Sequence, residues 1–290
     1  MIVCPRCDGT LVEERERFAC PSCRYLAERK DGIVLFNPEI VDEHDDYKAE
    51  GLDGLYSYER EHPWFKHRVT LIRKAFASYV RTTEDILEVG AGTGHTARAL
   101  LEDGYRNLSI GEIHTNGLLY ARQYGLDRLY QFDLRSSPFR EHFDVVALFD
   151  VLEHIEDDDD AMRKIHGMLR PGGRVILTVP AHAWLWSRID EIAGHHRRYN
   201  RKALAALFES TGFDVLESKY IFTAMVPGLL ARSFLSRNAT RETAESGCGL
   251  KVSGLGKLLM ALAAGPGDVL FSPLRRITGG SILAVARRRP

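Results

Sequence analysis

From residue 85 onward the chain alternates short apolar runs with stretches whose apolar residues recur at helical spacing. Asp85–Val89 reads as a strand, followed by a helix from His95 to about Glu102. Leu108–Ile113 is a second strand and leads into a helix through Leu118–Tyr124; Leu129–Asp133 and Phe143–Phe149 are the third and fourth strands. Ala161, Ile165, Met168 and Leu169 mark a helix that stops at Arg170-Pro-Gly-Gly173, and Arg174–Val179 is the fifth strand. Upstream, Pro63 opens a helix whose Phe65, Val69, Ile72, Phe76 and Tyr79 share one face. Downstream, Asp214–Tyr220 and Ile282–Ala286 read as a sixth and a seventh strand. Repeated strand–helix units at this spacing predict an α/β fold: a parallel sheet with helices on both faces. Ligands of such sheets sit at the carboxyl ends of the strands, where the strand order reverses.

At the end of the first of these strands stands Ile86-Leu-Glu-Val-Gly-Ala-Gly-Thr-Gly-His95. Glycines at 90, 92 and 94 between a strand and a helix let a polar small molecule lie on bare backbone at a helix N-terminus. A dinucleotide fingerprint would need its third glycine at 95, which is His95, and no Gly-Lys-Ser/Thr is present for a phosphate loop. Glu112 ends the second strand, where a carboxylate can take both hydroxyls of a ribose, and Asp133 ends the third, where it can accept from the exocyclic amine of adenine.

Composition adds little until the N-terminus. The 290 residues carry a net charge of −1 and 44% hydrophobic residues, which argues against a chain that coats nucleic acid. With no secretory signal and no apolar stretch of about 20 residues, a cytoplasmic protein is expected. Four of the five cysteines form two C-x-x-C pairs, Cys4/Cys7 and Cys20/Cys23, whose knuckle turns make a tetrahedral four-thiolate site for structural Zn2+. Leu11–Glu13 and Arg17–Ala19 suit a hairpin between the pairs, and Asp31–Phe36 a closing strand. Residues 1–37 are therefore expected to form a zinc ribbon and 38–58 an acidic linker or lid. Residues 59–290 remain for the α/β domain, with a helical insertion at about 221–280.

Glu88-Val-Gly-Ala-Gly-Thr-Gly94, Gly111-Glu112, Phe132-Asp-Leu134, Phe143–His154 and Leu169-Arg-Pro-Gly-Gly173, in this order, resemble the class I S-adenosylmethionine-dependent methyltransferases. The likeness is to their ubiquinone/menaquinone-biosynthesis-like branch and covers roughly residues 59–220. It implies a Rossmann-like seven-stranded sheet and S-adenosylmethionine as methyl donor. Carried over, Gly90, Ala91, Gly92 and Gly94 lie along the cofactor, Glu88 faces its methionine amino end and Glu112 its ribose. Asp133 and Leu134 face the adenine, while Phe149 and Asp150 border the sulfonium. His154 is a candidate base beside the sulfonium, or a histidine that only braces its loop. Some relatives hold a divalent ion on an acid-x-x-Glu-His run; at Asp150, Glu153 and His154 a second metal is not expected, because the first acid differs. Glu156–Asp160 precedes a helix and is expected to serve its N-terminus.

Pro180–Asp190 is followed by Gly194–Tyr199, which resembles a recurrent Gly-His-x-Arg-Arg-aromatic element of this branch; its position puts His182, Trp184, Trp186, His195 and Tyr199 over the cofactor mouth, with His195 as a second candidate base. Trp184, Trp186 and Tyr199 would then face the acceptor, and Arg198 would meet an anionic group or pair with Asp190 or Glu191. The apolar pieces Met225–Leu235 and Leu255–Leu262 suit a cap over the acceptor, a dimer contact or contact with a membrane surface. The expected function is methylation of a small aromatic or lipid-like acceptor. The alternatives are an RNA methyltransferase that grips nucleic acid with the ribbon, and a cofactor-binding scaffold without turnover.

Overall fold

The computed structural model describes residues 1–15, 17–40, 49–235, 260–263 and 267–290. Strands β1 (Val12–Glu14), β2 (Arg17–Ala19), β3 (Leu26–Lys30) and β4 (Ile33–Leu35) form an antiparallel meander at the N-terminus. The hairpin and closing strand match expectation, and β3 is an addition. Its LAERK sequence has one buried position and no apolar run to announce it.

Seven further strands follow: β5 (Ile86–Val89), β6 (Leu108–Glu112), β7 (Arg128–Gln131), β8 (Phe143–Phe149), β9 (Leu169–Pro180), β10 (Phe213–Ile221) and β11 (Ser281–Arg288). They lie in the order β7-β6-β5-β8-β9-β11-β10, all parallel except β11. This is the doubly wound Rossmann-like sheet. Its order reverses between β5 and β8, so the crevice at their carboxyl ends is the ligand position. The ribbon's sheet is continuous with it. Strand β4 runs parallel to β7, Ile33 opposite Leu129 and Leu35 opposite Gln131, giving an eleven-stranded sheet among the described residues.

Alternate residues of each strand feed opposite cores, as the pleat requires. Leu87, Val146, Leu177 and Ala284 face α5 (Asp158–Met168) and α7 (Arg201–Ser210), between which in the chain lies the short α6 (Arg188–Ile192), together with ribbon residues Phe18 and Phe36. Ile86, Ile110, Val145, Ile176 and Leu283 face α2 (Pro63–Tyr79), α3 (His95–Glu102) and α4 (Thr115–Gln123). The acidic run before α5 behaves as expected: Asp157 accepts from the Asp160 N–H at 2.9 Å, and Asp158, Asp159 and Asp160 fill the first turn.

One expectation gains detail, and another falls partly outside the described residues. Residues 49–58, expected within a linker or lid, form helix α1 (Ala49–Tyr58) packed on α4. Tyr56 stacks on Tyr120 at 4.0 Å, and Asp53 accepts from the Tyr120 hydroxyl at 2.8 Å. In the segment expected as an insertion, α8 (Val226–Leu235) and a turn at Ser272–Arg276 are described. The helix expected at 255–262 lies largely outside the described residues. Among those residues no helix is long and apolar enough to cross a membrane.

Candidate cofactor and acceptor sites

The glycine turn has the backbone that its sequence demands. Gly90, Gly92 and Gly94 have φ of +64°, +56° and +77°, in the region glycine alone enters without strain. A Cβ on Gly90 would meet Val151 Cγ2 at 2.6 Å, and one on Gly94 would meet Ala121 Cβ at 2.6 Å, so those two also allow close packing. A Cβ on Gly92 instead points toward Leu52 and Leu55 of α1, at 3.5 and 3.7 Å. Helix α1 thus lies across the turn.

Three carboxylates surround this backbone. Glu112 Oε2 accepts from the Gly92 N–H at 2.8 Å and its Oε1 from the Ile113 N–H at 2.7 Å, which locks the turn to the end of β6. Glu88 is buried, its Oε2 has no hydrogen-bond partner, and burial pushes its carboxyl up to about 8, helped by Glu59 and Glu112. Glu59, which the sequence did not single out, is 2% exposed, accepts from the Thr93 hydroxyl, and is pushed by burial to about 7. An orphaned carboxylate oxygen beside a left-handed glycine turn fits a ligand that brings an ammonium or sulfonium. The left-handed turn and the three buried acids around it, Glu59, Glu88 and Glu112, fit S-adenosylmethionine, which brings a cationic end and ribose hydroxyls.

At the next strand end, Asp133 accepts from the Arg135 N–H at 2.8 Å and from Arg135 Nε at 2.9 Å. Its own N–H donates to Asn37 Oδ1 at 3.1 Å, so the ribbon reaches this loop. Leu134 beside it is 7% exposed. Phe149 is buried, and Asp150, at φ +58°, accepts from Arg68 Nη1 of α2 at 2.5 Å. The Arg68 guanidinium also lies 4.9 Å over the Trp64 ring. Nothing in the local sequence couples α2 to the end of β8; a lone arginine on a helix gives no such signal.

Beyond β8, Glu153 is fully buried and neither of its carboxylate oxygens has a hydrogen-bond partner; desolvation and the charge of Asp150 raise its carboxyl well above the usual range. The rings of His154 and His195 meet edge to face at 4.6 Å. Burial, with His195 and His196 nearby, pushes His154 down to about 3. His195 Nδ1 is 3.0 Å from Asp190 Oδ1, and Asp190 also accepts from the Ser187 hydroxyl at 2.8 Å and from Arg198 Nε at 2.8 Å. Burial opposes ionisation of Asp190, but these partners hold it well below the usual carboxylate range. Ligand atoms of Glu153, His154 and His195 lie within 4.8 Å of one another, whereas Asp150 is taken up by Arg68. The trio differs from the Asp150, Glu153 and His154 set in the sequence.

The loop residues separate into two groups. Trp184 is 52% exposed and stacks on His182 at 4.9 Å, which in turn stacks on Tyr220 at 4.7 Å. Trp186 sits beside Glu191, its Nε1 3.4 Å from the carboxylate. Tyr199 instead is 4% exposed, donates its hydroxyl to Asp158 at 2.8 Å and ties the loop to β9 through main-chain bonds to Pro180 and His182, so it does not line an open mouth. Arg198 pairs with Asp190, one of its two expected structural partners. Arg197 pairs with Asp158.

At the ribbon tip the four cysteine sulfurs lie within 4.8 Å of one another, with Cys4–Cys23 and Cys7–Cys20 both at 3.5 Å. Tetrahedral zinc with Zn–S of about 2.3 Å places its sulfurs roughly 3.8 Å apart, so the cluster has the right size for one ion.

The comparisons agree with this geometry. The profile of a family described as a methyltransferase domain matches residues 56–218, just over half of the chain. This protein belongs to that family. It is 26% identical over 166 residues to a probable S-adenosylmethionine-dependent methyltransferase of Mycolicibacterium smegmatis, covering 56% of this chain and 63% of that one. It is 27% identical over 121 residues to the ubiquinone biosynthesis O-methyltransferase of Pseudomonas entomophila, covering 40% of this chain and 48% of that one. The chain therefore spans less than two thirds of the length of these relatives. Among solved structures, Haemonchus contortus phosphoethanolamine N-methyltransferase 2 in complex with S-adenosyl-L-methionine superposes with a TM-score of 0.55. That match covers 85% of this chain and 59% of the other at 20% identity, which speaks for the fold alone.

Proposed function

We propose that the protein methylates a small, flat acceptor, aromatic or lipid-like, delivered to the mouth formed by the 182–199 loop. The observation that carries this reading is the ring stack Trp184–His182–Tyr220, whose outer member is half exposed. Stacked rings offer apolar faces to a planar ligand. Arg197 and Arg198 are already engaged by Asp158 and Asp190, so the loop's charges brace it. The similarity to ubiquinone O-methyltransferases points to the same class of acceptor. On the ribbon, Arg17 pairs with Glu14 and Arg29 with Glu13, a charge-balanced face ill suited to a phosphate backbone.

S-adenosylmethionine supplies the electrophilic methyl group, displaced in line. The residues of this chain align and shield. Glu88 and Glu59 favour the cationic end of the cofactor, and Glu112 its ribose hydroxyls. Asp133 and Leu134 take the adenine, and Phe149 and Asp150 border the reacting centre. His195, oriented through Nδ1 by Asp190, keeps Nε2 to accept a proton from an acceptor hydroxyl. His154, which burial disfavours as a cation, suits the bracing role. Cys4, Cys7, Cys20 and Cys23 hold a structural Zn2+. Incubation with methyl-labelled cofactor tests the acceptor class: label should enter a small-molecule extract, and label confined to total RNA would overturn the reading.

A further inference from the structure

The ribbon ends on Asn37, which is 8% exposed and has three of its four polar groups, the N–H, the carbonyl and Oδ1, tied into the cofactor domain. Its N–H donates to Gln131 Oε1 at 3.0 Å, and its carbonyl accepts from Gln131 Nε2 at 3.0 Å. Gln131, the last residue of β7 and 1% exposed, also donates from Nε2 to the Ile113 carbonyl at 3.1 Å, just past Glu112. The side-chain Nδ2 of Asn37 donates to Glu39 Oε1 at 3.1 Å. Because a carboxylate can only accept, this bond decides which way the amide faces. Oδ1 is left to accept from the Asp133 N–H at 3.1 Å and the Ser136 hydroxyl at 3.2 Å. A flipped amide would set NH2 against N–H.

We infer that Asn37 is a positioning residue for the cofactor: the ribbon's last side chain fixes the Asp133–Ser136 turn, and with it the carboxylate that selects adenine. This rests on the assignment of Asp133 to the adenine amine. The ribbon is thereby part of the binding site, since its strand β4 extends the sheet beside β7, and Gln131 at the end of β7 joins the Asn37 main chain to the Ile113 carbonyl just past β6. Residues 1–37 thus act on base recognition without touching the base.

The test compares two ligands on the full-length, zinc-loaded protein by calorimetry: S-adenosylhomocysteine, and its analogue with hypoxanthine in place of adenine. Hypoxanthine presents a carbonyl where adenine presents the amine, so the wild type should bind the analogue at least about 100-fold more weakly, as sites built around a ligand N–H do. Asn37→Ala should weaken S-adenosylhomocysteine by roughly 10-fold and the analogue far less, which cuts the preference by nearly the same factor. A merely structural role would weaken both ligands alike and leave their ratio unchanged, and that result overturns the inference. Glu39→Ala guards against a misfolded variant: Glu39 is exposed, and its loss frees the amide to turn, so the preference should fall in the same direction. An unchanged ratio in Glu39→Ala as well as Asn37→Ala, or a wild type that binds both ligands equally, counts against it. A wild type that binds neither ligand would instead refute the cofactor site itself.

Discussion

Glu88→Gln keeps the shape of a buried side chain while removing its charge, and the structure predicts that it stabilises the protein while weakening the cofactor. The native carboxyl is held at about 8 by burial, with Glu59 and Glu112 adding to the rise, against 4.5 in the unfolded chain. A raised carboxyl leaves stability untouched below 4.5. As pH climbs, the unfolded chain releases its proton while the native one keeps it, so stability falls by about 1.4 kcal/mol per pH step until about 8. At pH 7 the wild type therefore loses about 3 kcal/mol to this one group, and at pH 5 under about 1 kcal/mol. Glutamine cannot titrate, so the stability gap between variant and wild type should widen by about 2 kcal/mol or more between pH 5 and 7. Urea unfolding of the ligand-free protein at several pH values measures it. Subtracting the two curves removes the parallel contribution of Glu59. Ligand binding should move the other way, because a charge-assisted bond to the methionine ammonium is worth about 1.5–3 kcal/mol, or roughly 10- to 100-fold in Kd. A gap that stays constant with pH would refute the buried-charge argument, and unchanged affinity would remove Glu88 from the cofactor site.

Other outcomes follow from the same geometry. His195→Gln should lower kcat by roughly 100-fold or more with the cofactor Kd unchanged, measured by methyl transfer and calorimetry once an acceptor is in hand. Purified protein should contain about one zinc per chain, and its removal by chelator should lower the Tm and increase hydrogen exchange in both β4 and β7, which share a ladder. Exchange confined to β4 would show that the ribbon does not support the main sheet. Gly117→Ala should destabilise the protein and impair cofactor binding together, since its Cβ would clash with the Gly92 carbonyl. Thermal melts with and without cofactor would detect both effects.

The parallel sheet was legible because its strands carry uninterrupted apolar runs closed by turn chemistry. Phe143–Phe149 and His95–Glu102 have the same bounds in the sequence and in the structure. The glycine turn was legible for a related reason: only glycine tolerates φ near +60° at successive alternate positions, so the backbone is written in the residues. Helix α1 was hidden by Gly51, Gly54 and Ser57, poor helix formers that tertiary packing on α4 overrides. The roles of Glu59, Arg68, Gln131 and Asn37 were hidden for a different reason. Each acts on a partner 34 to 96 positions away, at a contact only the assembled sheet creates. Tyr199 shows the converse, a residue that local motif places at the mouth and the β9 ladder draws into the core.

The most direct test of the cofactor site is calorimetric titration of S-adenosylmethionine into the wild type and Gly92→Arg. Gly92 sits at φ +56° with the side-chain direction open toward Leu52 and Leu55, so an arginine there is strained and fills the space between the turn and α1. Saturable binding by the wild type and none by the folded variant is the predicted result. A wild type silent at millimolar ligand, or a variant that binds as the wild type does, would contradict it.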